Sequence, residues 1–280
     1  MTLTFHRKIR RAVCHACCAE VAPPAGCPTC TAPGLRYLGA GSERIEAELA
    51  RVLPGARVRR MDSDTMLRRE DYESTLASFG RGEIDVLVGT QMIAKGLDFP
   101  RVTVVGIVSA DSALYLPDFR AAERTFQLLS QVAGRAGRGE LAGEIVVQTS
   151  APAHPAIVLA ARHDFEAFAE GEGKLRAELS YPPHGRLLRV VVEDRDETKV
   201  VEASRACAER LRSLVAGGGV QVLGPAEAPM AMVRGRHRHH LIVKAGAGDG
   251  LERARTALLE FANASARPRV MIDVDPVSML

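Results

Sequence analysis

The chain has no run of about 18 apolar residues, the least that a membrane-crossing helix requires, so the expectation is no membrane partner. Its amino terminus, MTLTFHRKIRRAV, lacks the apolar centre of a secretory signal peptide, and a cytoplasmic location is expected. That expectation argues against a disulfide framework for the six cysteines. Charge of one sign is also scarce: the net charge is +3 over 280 residues, so bulk charge does not announce a nucleic-acid partner. The phosphate cradle G-x-x-x-x-G-K-[ST] occurs nowhere; Gly173-Lys174-Leu175 is the only Gly-Lys pair and lacks both spacing and hydroxyl. The acidic pair of a DEAH-type magnesium site is missing too. No repeat or low-complexity tract interrupts the chain.

What is present divides into four stretches. Residues 1–38 are rich in Cys, Pro, Gly and Arg and have little apolar periodicity, so they can hardly build a core unaided. From 39 to 154, short apolar runs at 58–61, 85–88, 102–108 and 144–148 alternate with helical patterns at 43–52, 72–79 and 120–132. Runs without in–out alternation predict strands buried on both faces, hence an α/β fold with a parallel sheet. Residues 155–180 read as a helical connector with Ile157, Leu159, Phe165 and Phe168 on its apolar face, weakened by Gly171 and Gly173 and stopped at Tyr181-Pro182-Pro183. Residues 181–280 read β-α-β-β-α-β, the order of a ferredoxin-like α+β domain, with Cys207 as a small core residue on its first helix.

The spacing of the other cysteines carries chemistry. Cys14-His15-Ala16-Cys17 and Cys27-Pro28-Thr29-Cys30 are two C-x2-C pairs separated by residues 18–26. Each pair can present two thiolates to a tetrahedral Zn²⁺. A single such pair could be redox-active. Two in a segment with no core of its own point to metal, because structural zinc supplies roughly 10–16 kcal/mol that apolar burial there cannot.

Two further elements point to phosphate. Gly89-Thr90-Gln91-Met92-Ile93-Ala94-Lys95-Gly96-Leu97-Asp98 follows directly on an apolar run, where small residues let backbone approach a phosphate and Thr90 offers a hydroxyl. Alone it reads by default as a structural turn. Gln131-Val132-Ala133-Gly134-Arg135-Ala136-Gly137-Arg138 ends a helical pattern. Its two arginines suit the transition-state charge of a γ-phosphate, an effect of about 10³–10⁵ in rate for arginine fingers generally. The basic clusters at 6–11 and at Arg234-Gly235-Arg236-His237-Arg238 can meet phosphates, or simply be solvated loops.

Together these elements match motifs V and VI of superfamily-2 helicases. The stretch from Ala110 to Arg124, with Gly41-Ser42-Glu43-Arg44 upstream and Arg234-Gly235-Arg236 and Asp273-Val274-Asp275-Pro276 downstream, resembles the PriA family of replication-restart helicases over essentially the whole chain. The resemblance implies a RecA-like parallel sheet, preceded by a partial zinc-binding segment, in an ATP-driven 3′→5′ DNA helicase that restarts forks and assembles the primosome. It implies that Arg135, Arg138 and Gln131 act on ATP, that Gly96 and Asp98 also border the nucleotide, and that Thr90, Gln91, Lys95, Arg234 and Arg236 meet DNA. Cys14, Cys17, Cys27 and Cys30 would ligate Zn²⁺. In the family each of two sites mixes pairs from a longer cysteine module, so two separated knuckles are expected here. ATP and Mg²⁺ would be held mainly by an upstream domain that this sequence does not contain. Forked and single-stranded DNA, single-strand-binding protein and primosome components are the implied partners. Cys18 replaces the usual Gly, and Gly171 and Gly173 interrupt a usually acidic helix. Without the upstream domain the chain is expected to lack ATPase activity, which leaves open a non-catalytic zinc and DNA-binding or primosome-interaction module.

Overall fold

The structure is a computed structural model. It describes residues 4–6, 11–13, 20–24, 26, 30, 41–62, 65–66, 68–90, 93, 101–134, 143–215, 219–246, 248–264 and 267–280. The chain divides into two compact units. One comprises residues 37–116 and 121–168, the other 1–36, 117–120 and 169–280.

The first unit begins with β1–β3 of the other unit already behind it in sequence, namely Thr4–His6, Arg11–Val13 and Glu20–Val21. It opens on α1 (Ser42–Val52), β4 (Val58–Met61), α2 (Arg69–Arg81) and β5 (Val86–Gly89). β4 and β5 are parallel, with Val58 opposite Val86 and Met61 opposite Gly89. A second parallel pair joins β6 (Val104–Ile107) to β7 (Glu144–Val147). Between these last two strands run α3 (Asp111–Leu114) and α4 (Ala121–Ala133), and α5 (Pro155–Ala161) follows. The apolar positions of α4 recur at helical spacing, so Phe126, Leu129 and Val132 are all buried on one stripe. Phe126 and Leu129 cluster with Ile157 and Ala160 of α5 and with Phe168, whose ring stacks on Phe126 with centroids 4.2 Å apart. Burying a side chain of this size contributes about 1.5–3 kcal/mol.

The parallel strands are as expected, but two features of the expectation need correction. The described strands form two separate parallel pairs rather than one ladder. β6 and β7 are also not buried on both faces. Ile107 and Val147 pack against the Phe126 cluster, whereas Val104 and Val146 on the other side are 60% and 53% exposed. A run of valines records that a strand is apolar; whether both faces find cover depends on elements distant in sequence.

In the second unit, β1, β2 and β3 make a small antiparallel sheet in chain order. The connector's second helix, α6 (Phe165–Glu178), leads into β8 (Arg186–Asp194), α7 (Glu197–Val215), β9 (Val220–Val233), β10 (Arg236–Ala245), α8 (Gly250–Ala264) and β11 (Arg269–Val274). The four strands are antiparallel in the order β11-β8-β10-β9. Alternate residues of the two central strands, Leu188, Val190, Val192, Leu241 and Val243, form one core with Val200, Cys207 and Leu211 of α7 and Leu251 and Leu258 of α8. Cys207 is the small core residue expected, and burial pushes its thiol up to about 11. β9 is long, and its end at Val233 leaves only Arg234 and Gly235 before β10. Of the expected connector face, Ile157 and Phe168 are buried, but Phe165 is 64% exposed.

Candidate nucleotide and nucleic-acid sites

The carboxyl ends of parallel strands are where α/β sheets bind ligands. In β4 and β5 the last paired residues are Met61 and Gly89, so Asp62 and Thr90 step off the two strand ends side by side. Thr90 is exposed, and its carbonyl accepts from the Ile93 amide at 3.1 Å. A Cβ on Gly89 would lie 2.4 Å from the Met61 carbonyl oxygen. The glycine is therefore demanded by the neighbouring strand, not only by an approaching phosphate.

Asp62 is buried and organises the space beside Thr90. It accepts from the Ser42 hydroxyl at the start of α1, from Arg60 Nη1 at 3.0 Å and from the Thr65 amide at 3.1 Å. Arg60, itself buried, lies 3.3 Å from Glu46 of α1 through Nε. This network ties the Gly41-Ser42-Glu43-Arg44 stretch to the strand end. Of its members only Ser42 stood out in the sequence; an Asp and a Thr three apart after a strand are too common to single out.

Gln131 lies on the exposed side of α4, opposite the stripe of Phe126, Leu129 and Val132. Gln91, Lys95, Gly96, Asp98, Arg135 and Arg138 lie outside the described residues. Asp111 at the start of α3 accepts from the Thr149 hydroxyl at 2.9 Å and from the amide and hydroxyl of Ser150, each at 3.0 Å. The Ser150 amide is the main reason its carboxyl stays below the usual carboxylate range. The bond fixes α3 to the end of β7.

In the terminal sheet, Arg234 and Gly235 form the two-residue turn between β9 and β10, both at positive φ (50° and 70°), as a twisted hairpin requires. The turn holds Arg234 exposed and sets Arg236 opposite Val233 at the mouth of the hairpin. A groove of about 250 Å³ lies beside them, lined by Glu197, Glu227, Met232, His237, Arg238 and His239. His237 Nδ1 is 3.9 Å from Glu197. Further along the sheet Arg238 and Arg269 both approach Glu193, at 3.8 and 3.6 Å. Among the cysteines of the paired motifs, Cys30 is described and exposed; Cys14, Cys17 and Cys27 lie outside the described residues. Cys14 and Cys17 belong to the connection between β2 and β3, which are paired antiparallel at Val13 and Glu20. No helix among the described residues is long and apolar enough to cross a membrane.

Residues 39–140 match the helicase conserved C-terminal domain and residues 177–277 the primosomal protein N C-terminal domain. By these matches the parallel strands lie in a helicase C-terminal domain and the antiparallel terminal sheet in a primosomal C-terminal domain. A replication restart protein PriA of Bacillus subtilis is 42% identical over 276 residues, covering 98% of this chain and 34% of the relative. PriA of Treponema pallidum is 41% identical over 278 residues, covering 99% of this chain and 42% of the relative. PriA of Haemophilus influenzae is 35% identical over 277 residues, covering 98% and 37%. The chain belongs to the PriA family. It spans roughly two fifths or less of the length of these relatives.

Proposed function

We propose that the chain is the part of an ATP-dependent 3′→5′ DNA helicase that completes the nucleotide site and grips forked DNA during replication restart and primosome assembly. The observation that carries this is the arrangement at the strand ends: an exposed Thr90 beside the buried Asp62 network, in a helicase C-terminal domain joined to a primosomal one. Thr90, Gln91 and Lys95 would contact DNA phosphate. Gln131, Arg135 and Arg138, with Gly96 and Asp98, would border ATP, the arginines stabilising charge on its γ-phosphate. The phosphate cradle and the Mg²⁺ carboxylates are not in this sequence, so an upstream domain would hold ATP and Mg²⁺. Arg234 and Arg236, on the hairpin turn, would meet the DNA backbone, and single-strand-binding protein and primosome components are the proposed protein partners. The chemistry fits a cytoplasmic protein.

The test is ATP hydrolysis with forked DNA. Residues 1–280 alone should show no DNA-stimulated turnover, because arginines acting in trans have no nucleotide to act on. Fusing the upstream portion of the Bacillus subtilis relative should restore it, and Arg138→Ala in that fusion should abolish turnover while sparing DNA binding. Turnover by residues 1–280 alone, with contaminating enzymes excluded, overturns the reading.

The second reading, a non-catalytic zinc and DNA-binding or primosome-interaction module, is favoured for the isolated chain by the missing G-x-x-x-x-G-K-[ST]. Cys14, Cys17, Cys27 and Cys30 would hold Zn²⁺ in either reading: four thiolates at this spacing suit a structural zinc. Metal would cross-link a segment with little core, its role being stability. We expect two separated knuckles; one zinc per purified chain that resists dialysis against chelator would instead indicate a single four-cysteine site. For the terminal sheet we propose the ferredoxin-like assignment, supported by its β-α-β-β-α-β element order and its strand order.

A further inference from the structure

The sheet of the terminal unit has two dissimilar faces. Leu188, Val190, Val192, Leu241 and Val243 lie in the core with α7 and α8. Side chains alternate along a strand, so Arg189 and Glu193 of β8 and Arg238 and His240 of β10 point to the opposite face. Pairing sets Arg238 opposite Glu193 and His240 opposite Val191, with Arg189 two residues further along β8. Arg189 is only 6% exposed, and its Nη1 donates to the carbonyl oxygens of Leu280 at 2.8 Å and Ser278 at 3.4 Å. Its Nε and Nη2, however, are buried with no hydrogen-bond partner, as are Arg238 Nε and His240 Nδ1. Buried polar groups are nearly always paired, because desolvation without a partner is costly. The carboxylates nearby are engaged elsewhere. Glu193 is shared by Arg238 at 3.8 Å and Arg269 at 3.6 Å, and Asp118 accepts from the Ser278 hydroxyl at 3.1 Å and the Met279 amide at 3.0 Å. Asp273, opposite Arg189 on β11, is exposed and acts on it through charge alone.

We propose that the Nε–Nη2 edge of Arg189, with Arg238 and His240 beside it, binds one small oxyanion of the sulfate or phosphate type. The two N–H groups on that edge of a guanidinium are parallel and match two oxygens of such an ion, a fit that an ammonium cannot reproduce. Arg238 supplies a second guanidinium, and His240 an imidazole nitrogen able to carry a proton. Burial decides the kind of ion. The unpartnered nitrogens are out of solvent, and a phosphate within a DNA strand would have to bring its sugars to them, so the occupant is a free ion. It reaches the edge past Arg238 and His240, which are half-buried. An anion there links β8 to β10 and relieves the repulsion that Arg238 exerts on Arg189 and that both exert on His240. The site shares no residue with the contacts proposed for DNA or ATP and does not rest on the helicase reading.

The test is nuclear magnetic resonance of the arginine Nε–H signals of the full chain, titrated with sodium sulfate against sodium chloride at equal ionic strength. The Arg189 and Arg238 signals should shift saturably with sulfate and not with chloride. Arg189→Lys keeps a donor for the carbonyls of residues 278 and 280 but lacks the two-pronged edge. It should weaken sulfate about tenfold, read from the Arg238 signal. Urea midpoints show whether the variant is folded and give a second readout. Sulfate excluded from protein surfaces raises every midpoint, whereas an ion bound to the native state should raise that of the unaltered chain further than that of Arg189→Lys. Shifts that grow without saturating, an equal response to chloride, or equal sulfate affinity in Arg189→Lys overturns the site. Should Arg189→Lys not fold, the saturable and sulfate-selective shift in the unaltered chain decides. A single-stranded oligonucleotide that displaces sulfate from Arg189 overturns the assignment to a free ion. ATPase activity plays no part in these readouts, so a failed helicase reading would be recognised separately.

Discussion

His240 is the residue whose surroundings most directly set a pH dependence. It lies on β10 with its Nδ1 buried and without a hydrogen-bond partner. Burial, and then the charges of Arg189, His239 and Arg238, hold its pKa below the ordinary 6.5. The native state therefore keeps the ring neutral while the unfolded chain takes up a proton as pH falls through about 6.5. Where the unfolded state binds more protons, stability rises with pH, so this residue makes the terminal unit less stable below about pH 6.5. Urea midpoints followed by circular dichroism should fall between about pH 7.5 and pH 5, and His240→Gln should flatten that part of the profile. Asp85 adds a loss at more acid pH. Its pairing with Arg57, at 2.6 and 2.8 Å, keeps its carboxyl far below the usual range, but the pair is exposed and its contribution small. Residue-scale facts of this kind were only partly legible. That Gly89 ends a strand is plain in sequence, whereas its need for a missing Cβ comes from Met61, 28 positions earlier, whose carbonyl is brought close by strand pairing.

Among the elements, α6 is stronger than its sequence suggests. Two interior glycines should cost about 1 kcal/mol each relative to Ala, yet the helix is continuous from Phe165 to Glu178. Buried Phe168, stacked on Phe126, and the pairing of Arg176 with Glu172 override the local penalty. A Cβ at Gly171 or Gly173 would meet nothing within 4 Å. Gly171→Ala and Gly173→Ala should therefore each stabilise the chain by about 0.5–1 kcal/mol, measurable as a raised urea midpoint with unchanged slope. The β9–β10 hairpin carries the opposite lesson. Its turn, Arg234-Gly235, was visible only as a basic cluster, and its strands reach it because β10 is paired along its length with β8. Replacing Arg234 and Arg236 together by Ala should weaken DNA binding and lower the salt slope of affinity by about two, without changing the urea midpoint. An unchanged salt slope would remove the hairpin turn from the DNA surface.

For the molecule as a whole, chain order and spatial grouping part company. The helicase-type unit is interrupted at residues 117–120, which are contributed to the terminal unit, so a boundary drawn along the sequence crosses the structure twice. The amino-acid sequence by itself determined the element types, the order β-α-β-β-α-β of the last hundred residues, the helical face of α4 and the family. Those depend on local periodicity, on turn residues and on motif spacing, all of which act over a few residues. The tertiary structure alone decided which strand faces are covered, why Asp62 is buried between Ser42, Arg60 and Thr65, and that Asp118 meets Ser278 and Met279 160 and 161 positions away. Such choices follow from long-range packing: a carboxylate enters the interior only where donors from distant segments converge to replace its water, and no local pattern in the sequence encodes that convergence.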